Sequence, residues 1–143
     1  MIRPIELQDA EKIADICRDT LGHDVSVSTL LKRIPELKDD SAYFIRVSCD
    51  EHSGNVNGFI QAQKYDLLYG NSGFNIIALA VQSSAQKKGL GKELVKTLEL
   101  YAVKNGASFI RLNSRIERTD AHRFYLHLGY QCDKTQKRFI KEL

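Results

Sequence analysis

The residues best suited to chemistry lie in one short stretch, Gln86-Lys87-Lys88-Gly89-Leu90-Gly91-Lys92. Two glycines remove Cβ atoms and let a ligand approach the backbone. Three lysines bring positive charge to the same place. If a helix starts here, its first N–H groups have no partner inside the helix, and the macrodipole adds partial positive charge at that end. Such a stretch can hold a phosphate or pyrophosphate. A glycine turn ringed by solvated lysines would use the same residues, so the flanking elements must decide.

Both flanks are legible. Ile76-Ile77-Ala78-Leu79-Ala80-Val81 is a short apolar run that reads as a buried strand. Downstream, Leu90, Leu94, Leu98, Tyr101 and Ala102 recur at steps of three and four, with Lys92, Glu93, Lys96, Glu99 and Lys104 elsewhere, which predicts an amphipathic helix. Asn105-Gly106 stops it. The spacing excludes two commoner phosphate motifs. A dinucleotide fingerprint needs glycine where Leu94 stands, and a Walker A loop needs glycine at Gln86 and Ser or Thr at Glu93. What remains is Gln/Arg-x-x-Gly-x-Gly behind a strand, complete here in Gln86, Gly89 and Gly91. It resembles motif A of the GNAT family of N-acetyltransferases, and the chain looks like a small bacterial-type member. The resemblance implies that this loop grips the pyrophosphate of acetyl-coenzyme A (acetyl-CoA).

Composition bounds the alternatives. A chain of 143 residues predicts one domain, here 1–143, with 43% apolar and 27% charged residues as in ordinary globular proteins. A net charge of +3 with interleaved signs is too mild to argue for nucleic acid, and no aromatic-interleaved basic face stands out. Cys17, Cys49 and Cys132 are odd in number and far apart, which fits neither a disulfide framework nor a metal site. They read as reduced, small buried hydrophobes of a cytoplasmic protein. No apolar run approaches the ~20 residues that span a bilayer, and Met1-Ile2-Arg3-Pro4 lacks the apolar core of a signal peptide. The expectation is therefore no membrane and no nucleic acid among its partners.

The elements follow in order. Ile2 to Leu7 predicts a strand. Asp9 caps a helix through Ile13, Ala14, Cys17 and Leu21, and Ser28 caps a second through Leu31, Ile34 and Leu37. Alternation predicts a strand at Tyr43–Cys49, a turn near Gly54-Asn55, and a return strand at Asn57–Tyr65. Phe74–Val81 is the central strand, and after the long helix comes a strand at Phe109–Asn113. A helix at Arg118–Leu128, capped by Thr119 or Asp120, precedes a final hairpin, Tyr130–Asp133 with Lys137–Lys141. The order β-α-α-β-β-β-α-β-α-β-β predicts a mixed α/β (α+β) fold: a mostly antiparallel sheet of six to seven strands flanked by about four helices. It is also the GNAT element order. The resemblance implies that the central strand and its successor splay apart after Leu79, with acetyl-CoA in the gap.

A second stretch strengthens the resemblance. In Ala121-His122-Arg123-Phe124-Tyr125-Leu126-His127-Leu128-Gly129-Tyr130, the pattern Ala-x-x-Phe-Tyr-x-x-x-Gly-Tyr is similar to motif B of the same family. By pattern alone it is a core helix with a glycine cap. The resemblance implies roles residue by residue. Leu79, Ala80 and Val81 pair with the pantetheine arm through their backbone, and the Leu79 N–H meets the thioester carbonyl. The amides from Lys87 to Lys92, including Lys88 and Leu90, take the pyrophosphate. Asn113 and Phe124 contact the cofactor, and Tyr125 reaches its sulfur, where it could give the leaving thiolate a proton. His122 packs or bonds on the cofactor side and His127 lies on the surface. Where several members carry a strand glutamate as general base, this chain has Asn75. His23, Asp24 and Asp66 lie on loops that would rim the acceptor cleft.

The activity implied is transfer of an acetyl group from acetyl-CoA to a primary amine, small-molecule or peptide, by direct attack in a ternary complex, with no metal. The alternative is a non-catalytic module that binds CoA or acetyl-CoA for regulation. Family members often pair through C-terminal strands, so a homodimer is compatible with either.

Overall fold

The computed structural model describes all 143 residues. Alternating apolar residues build one sheet: β1 (Ile2–Pro4), β2 (Tyr43–Cys49), β3 (Val56–Tyr65), β4 (Gly73–Val81) and β5 (Phe109–Leu112), in that spatial order. Neighbours up to β4 pair antiparallel, and β5 runs parallel to β4. Four helices accompany it: α1 (Ala10–Leu21), α2 (Val27–Lys38), α3 (Leu90–Lys104) and α4 (Thr119–His127). The chain divides into two compact units, Met1–Leu112 and Asn113–Leu143. The first holds the sheet and α1 to α3, and the second holds α4.

The first unit has apolar residues on both sheet faces. On one face Ile45, Val47, Cys49, Phe59 and Ala80 pack with Ile13, Ile16 and Cys17 of α1 and Ile34 of α2. On the other, Phe44 and Phe74 meet Tyr101 of α3 at ring centroids 4.8 and 5.8 Å apart. The α3 stripe Leu94, Leu98 and Ala102 is buried, as its spacing predicts, and Val95 joins it. Each fully buried aliphatic side chain of this kind contributes on the order of 2 kcal/mol.

β4 contains one irregularity. Gln61 pairs with Ala78 but the next residue, Ala62, pairs with Ile76, so Ile77 is an extra residue in a β-bulge. Phe74 and Ile76 precede it, with Phe74 on the α3 face. After it Ala78 and Ala80 pack on the α1 face. The strand changes phase at Ile77, which is exposed.

Several expectations need correction. The sheet has five strands, not six or seven: residues 130–143 form neither helix nor strand and are mostly exposed. Their apolar residues are few and interrupted by Lys134, Lys137, Arg138 and Lys141, and a two-stranded hairpin without an apolar face is marginal. Cys132 lies there exposed, whereas Cys17 and Cys49 are buried as read. β1 stops at Pro4. Asp9 does not cap α1 with its side chain; its carboxylate accepts from Arg3 at 2.8 and 2.9 Å and from the Glu6 N–H at 2.8 Å. Ser26, in extended backbone, caps α2 by accepting from the Thr29 N–H at 3.1 Å, which leaves Ser28 inside the first turn. Thr119 and Asp120 also fall inside their helix, and the Asp120 carboxylate pairs with Arg123. β5 ends one residue before Asn113.

Candidate active site

Pairing between β4 and β5 runs only from Gly73↔Phe109 to Ile76↔Leu112. The two strands therefore part after Ile76, three residues earlier than expected, where β5 ends at Leu112 and just before the bulge at Ile77. From Ile77 to Val81, β4 keeps β3 on one edge and has no β5 partner on the other. The direction of its amides follows from register. The Gln82 N–H donates to the Asn57 carbonyl at 2.8 Å, one step beyond the Gly58↔Val81 pair. Hydrogen-bonded pairs alternate along an antiparallel ladder. Ala80 and Ala78 therefore bond to β3, and the N–H and C=O groups of Leu79 and Val81 face the open edge.

The glycine stretch follows directly. A 3-10 turn at Ser83–Ala85 leads into it, and Gln86 donates its side-chain amide to the Val81 carbonyl at 2.9 Å. Lys87 has φ +64° and Gly89 φ +82°, both left-handed. Left-handed residues within a loop turn successive amides toward one side and form anion-binding concavities. For Lys87 this backbone costs of order 1 kcal/mol. Gly89 is the N-cap of α3 and offers no side chain to the helix, so the N–H groups of Leu90, Gly91 and Lys92 have no carbonyl one turn back. Lys87, Lys88 and Lys92 are exposed around them. A cleft of about 470 Å³ lies on the β3 side of this loop, lined by Asp50, Asn57, Ser84, Lys88 and Glu93 among others. It is on the opposite side of β4 from the open edge.

The second unit carries motif B. α4 ends in a left-handed Gly129 at φ +94°, and the Tyr130 N–H reaches back to the Tyr125 carbonyl at 3.0 Å. Tyr125 sits edge-on to Phe124 and Tyr130, with centroids at 5.0 and 5.5 Å. Burial pushes its phenol up to about 12, and the positive charge of Arg118 opposes the shift. His122 bonds through Nε2 to the Arg115 carbonyl at 2.8 Å, and His127 is exposed. Asn113 opens this unit, exposed.

Asn75 holds an arrangement the sequence did not announce. Tyr43↔Gln63, Gln63↔Asn75 and Asn75↔Arg111 are successive cross-strand pairs, so four polar residues form one row over β2, β3, β4 and β5. Arg111 Nη1 donates to Asn75 Oδ1 at 2.6 Å, and Gln63 Nε2 donates to the Tyr43 hydroxyl at 3.5 Å. The Arg111 guanidinium lies 4.8 Å over the Tyr65 ring. The signal was an arginine inside the apolar strand Phe109-Ile110-Arg111-Leu112. His23, Asp24 and Asp66 are all exposed.

An unpaired β4 edge that runs into a left-handed glycine loop at the start of a helix defines a class of protein, and comparison with known proteins agrees. The profile of the acetyltransferase (GNAT) family matches residues 8–130, and this chain belongs to that family. It is similar to an aminoalkylphosphonate N-acetyltransferase of Salmonella typhimurium, 34% identical over 92 residues, covering 64% of this chain and 58% of that protein. It is also similar to an uncharacterized N-acetyltransferase of Methanocaldococcus jannaschii, 32% identical over 93 residues, covering 64% of this chain and 56% of the relative. The match spans little more than half the length of either. Among solved structures, a transcriptional regulator from Bacillus halodurans C-125 superimposes with a TM-score of 0.84 at 23% identity, covering 99% of both chains. At that identity the likeness speaks to the fold, which is the GNAT fold.

Proposed function

We propose that this chain transfers the acetyl group of acetyl-CoA to a primary amine by direct attack in a ternary complex. The observation that carries the reading is the open edge of β4, where the outward amides of Leu79 and Val81 lead straight into the left-handed loop at Lys87–Gly89.

Each group then has a task. The Leu79–Val81 backbone pairs with the pantetheine arm, and the Leu79 N–H donates to the thioester oxygen as negative charge develops there. The amides from Lys87 to Lys92 hold the pyrophosphate, with the lysines adding charge. Tyr125 is assigned the leaving sulfur by the motif it belongs to, and Asn113 and Phe124 the cofactor. With its pKa near 12, Tyr125 keeps its proton at neutral pH. A free thiol has a pKa of about 8.5, so full proton transfer from this phenol runs uphill. Its contribution is a hydrogen bond to the departing thiolate, and solvent completes protonation. The amine must arrive neutral. Asn75 cannot take its proton, so the acceptor loses it to water or arrives already deprotonated.

That missing carboxylate is the observation favouring the second reading, a CoA-binding module without catalysis. A thermal-shift titration separates binding from its absence. A ligand at ~100 times its Kd adds about 2.7 kcal/mol, and acetyl-CoA and CoA should shift the transition while ATP does not. Thiol release from acetyl-CoA across a panel of amines then separates enzyme from module. One relative is named for aminoalkylphosphonates, and amines of that kind belong in the panel. A thermal shift with no turnover on any amine would favour the module, and no shift at all would end both readings.

A further inference from the structure

We infer that Ile77 sets the length of the acyl group this chain accepts, confining the thioester donor to acetyl-CoA and propionyl-CoA. This rests on the acetyl-transfer reading and specifies its donor.

The direction of the donor follows from the two ends of the open edge. The amides from Lys87 to Lys92 take the pyrophosphate, and the Leu79 N–H takes the thioester oxygen. The pantetheine arm therefore runs along β4 from Val81 back to Leu79, and the acyl group continues toward Ile77. It has little room to do so. β4 and β5 are joined at Ile76↔Leu112, so the open edge has a closed end there. Leu79 pairs with Ile60 and Ile76 with Ala62, two β3 residues apart, which is roughly 7 Å along the sheet. A van der Waals contact of about 3.5–4 Å at the closed end leaves about 3 Å, the length of two carbon–carbon bonds beyond the carbonyl.

Ile77 stands inside that interval. The bulge sets three steps of β4 against two of β3, and Ile77 is the extra residue. Ile76 stands in the row of Ala62 and Phe44, on the α3 face, and Ala78 packs on the α1 face. Ile77 lies between them and belongs to neither layer. It is 47% exposed, whereas Ile76 and Ala80 are 6% and 4%. A single exposed apolar residue is ordinary on a protein surface. This one occupies the point where the central strand leaves its neighbour, beside the last atoms of a bound acyl chain. Its branched Cβ restricts χ1, so it makes a wall of fixed reach and does not yield as a methionine would. The transfer leaves the acyl chain itself unchanged. The C–S bond breaks, a C–N bond forms, the amine loses its proton to water and the thiolate takes one from solvent. Donor choice is therefore a matter of fit.

The test measures thiol release from acetyl-, propionyl-, butyryl- and hexanoyl-CoA with one accepted amine, and the Kd of each donor by calorimetry. The wild-type chain should lose about 10- to 100-fold in kcat/KM between propionyl- and butyryl-CoA, the effect of one methylene too many in a closed pocket. Ile77→Ala should raise the butyryl-to-acetyl ratio by about tenfold or more, and Ile77→Phe should lower the propionyl-to-acetyl ratio. Val103→Ala, which trims another exposed branched residue, on α3, should leave every ratio unchanged. The Kd of free CoA, which has no acyl group, should be the same in every variant and reports that the fold and the cofactor site survive. Equal losses on all donors in Ile77→Ala would make Ile77 a purely structural residue and overturn the inference. So would a wild-type chain that uses butyryl- or hexanoyl-CoA as readily as acetyl-CoA, an outcome that leaves acyl transfer standing. If no amine is acetylated, the Kd ratios of the same donors make the comparison, and equal ratios in the wild type and Ile77→Ala overturn it. Absence of binding by both CoA and acetyl-CoA would remove the reading beneath it, and the inference with it.

Discussion

Gln86 donates its side-chain amide to the carbonyl of Val81 at 2.9 Å. This bond joins the last residue of β4 to the first residue of the glycine stretch, on the edge where the strand has no other partner. Gln86→Met keeps the length and removes the donor. The bond is made without ligand, so its loss acts on binding only by loosening the loop, and the Kd for acetyl-CoA, by calorimetry, should rise by no more than about fivefold, the equivalent of one bond at ~1 kcal/mol. Gln86 is exposed, and the thermal midpoint of the cofactor-free protein should stay within a degree or two.

The two glycines of the loop should respond in opposite ways. Gly89 sits at φ +82° with nothing within 4 Å of a built Cβ, so Gly89→Ala costs conformation and not space. That cost is about 1 kcal/mol in a urea titration. Gly91 lies inside α3, where alanine is the better helix former. Gly91→Ala should leave stability unchanged or raise it by roughly 0.5 kcal/mol, while the added methyl weakens acetyl-CoA binding. Equal effects of the two changes on stability would contradict the assigned backbone.

Tyr125 should titrate late. Burial raises its folded pKa from 10.0 to about 12. The folded chain therefore holds this proton more tightly than the unfolded chain. The resulting stabilisation is whole below pH 10 and is lost as pH climbs from 10 to 12. Phenolate absorbance should show a late-ionising component, and Tyr125→Phe should remove it. The same variant should lower kcat with little change in the Kd for acetyl-CoA. Unaltered kcat would remove Tyr125 from the sulfur.

Arg3 and Asp9 form a two-toothed ion pair, with the Asp9 side chain 4% exposed and that of Arg3 24%. The pairing raises the Arg3 pKa, chiefly through its hydrogen bonds to Asp9. Arg3→Ala strands a buried carboxylate and should cost about 2–3 kcal/mol of unfolding free energy. Arg18→Ala breaks only exposed contacts to Asp15 and Asp19 and should cost less than about 0.5 kcal/mol. Urea titration of both variants makes the comparison.

Much of this fold could be read in advance because its long elements carry strong periods. The α3 stripe, the β2–β3 hairpin and the central strand lie where their spacing predicts, within a residue or two. The glycine loop was legible because the backbone it needs narrows the residues it can use. What escaped reading depends on contacts between distant residues. Ile76 to Val81 is apolar throughout, so no polar residue marks the change of phase at Ile77. Two partners of Arg111, Asn75 and Tyr65, are 36 and 46 residues away, and strand register brings them together. Asp9 looks like a helix cap by type, but Arg3 and the Glu6 N–H compete for its oxygens and win. The last hairpin failed for want of apolar residues to bury.

The bulge at Ile77 makes β4 two independent rulers laid end to end. Upstream of it, Gly73 and Asn75 set what meets Phe109 and Arg111; downstream, Leu79 and Val81 set which amides face outward. A residue exchanged on the first ruler leaves the marks of the second where they were. Substitution at Gly73 or Asn75 therefore alters the first half of the strand while Leu79 and Val81 stay in phase. Removing Ile77 by deletion would fuse the rulers, and every mark on one side of it would turn to the opposite face at once.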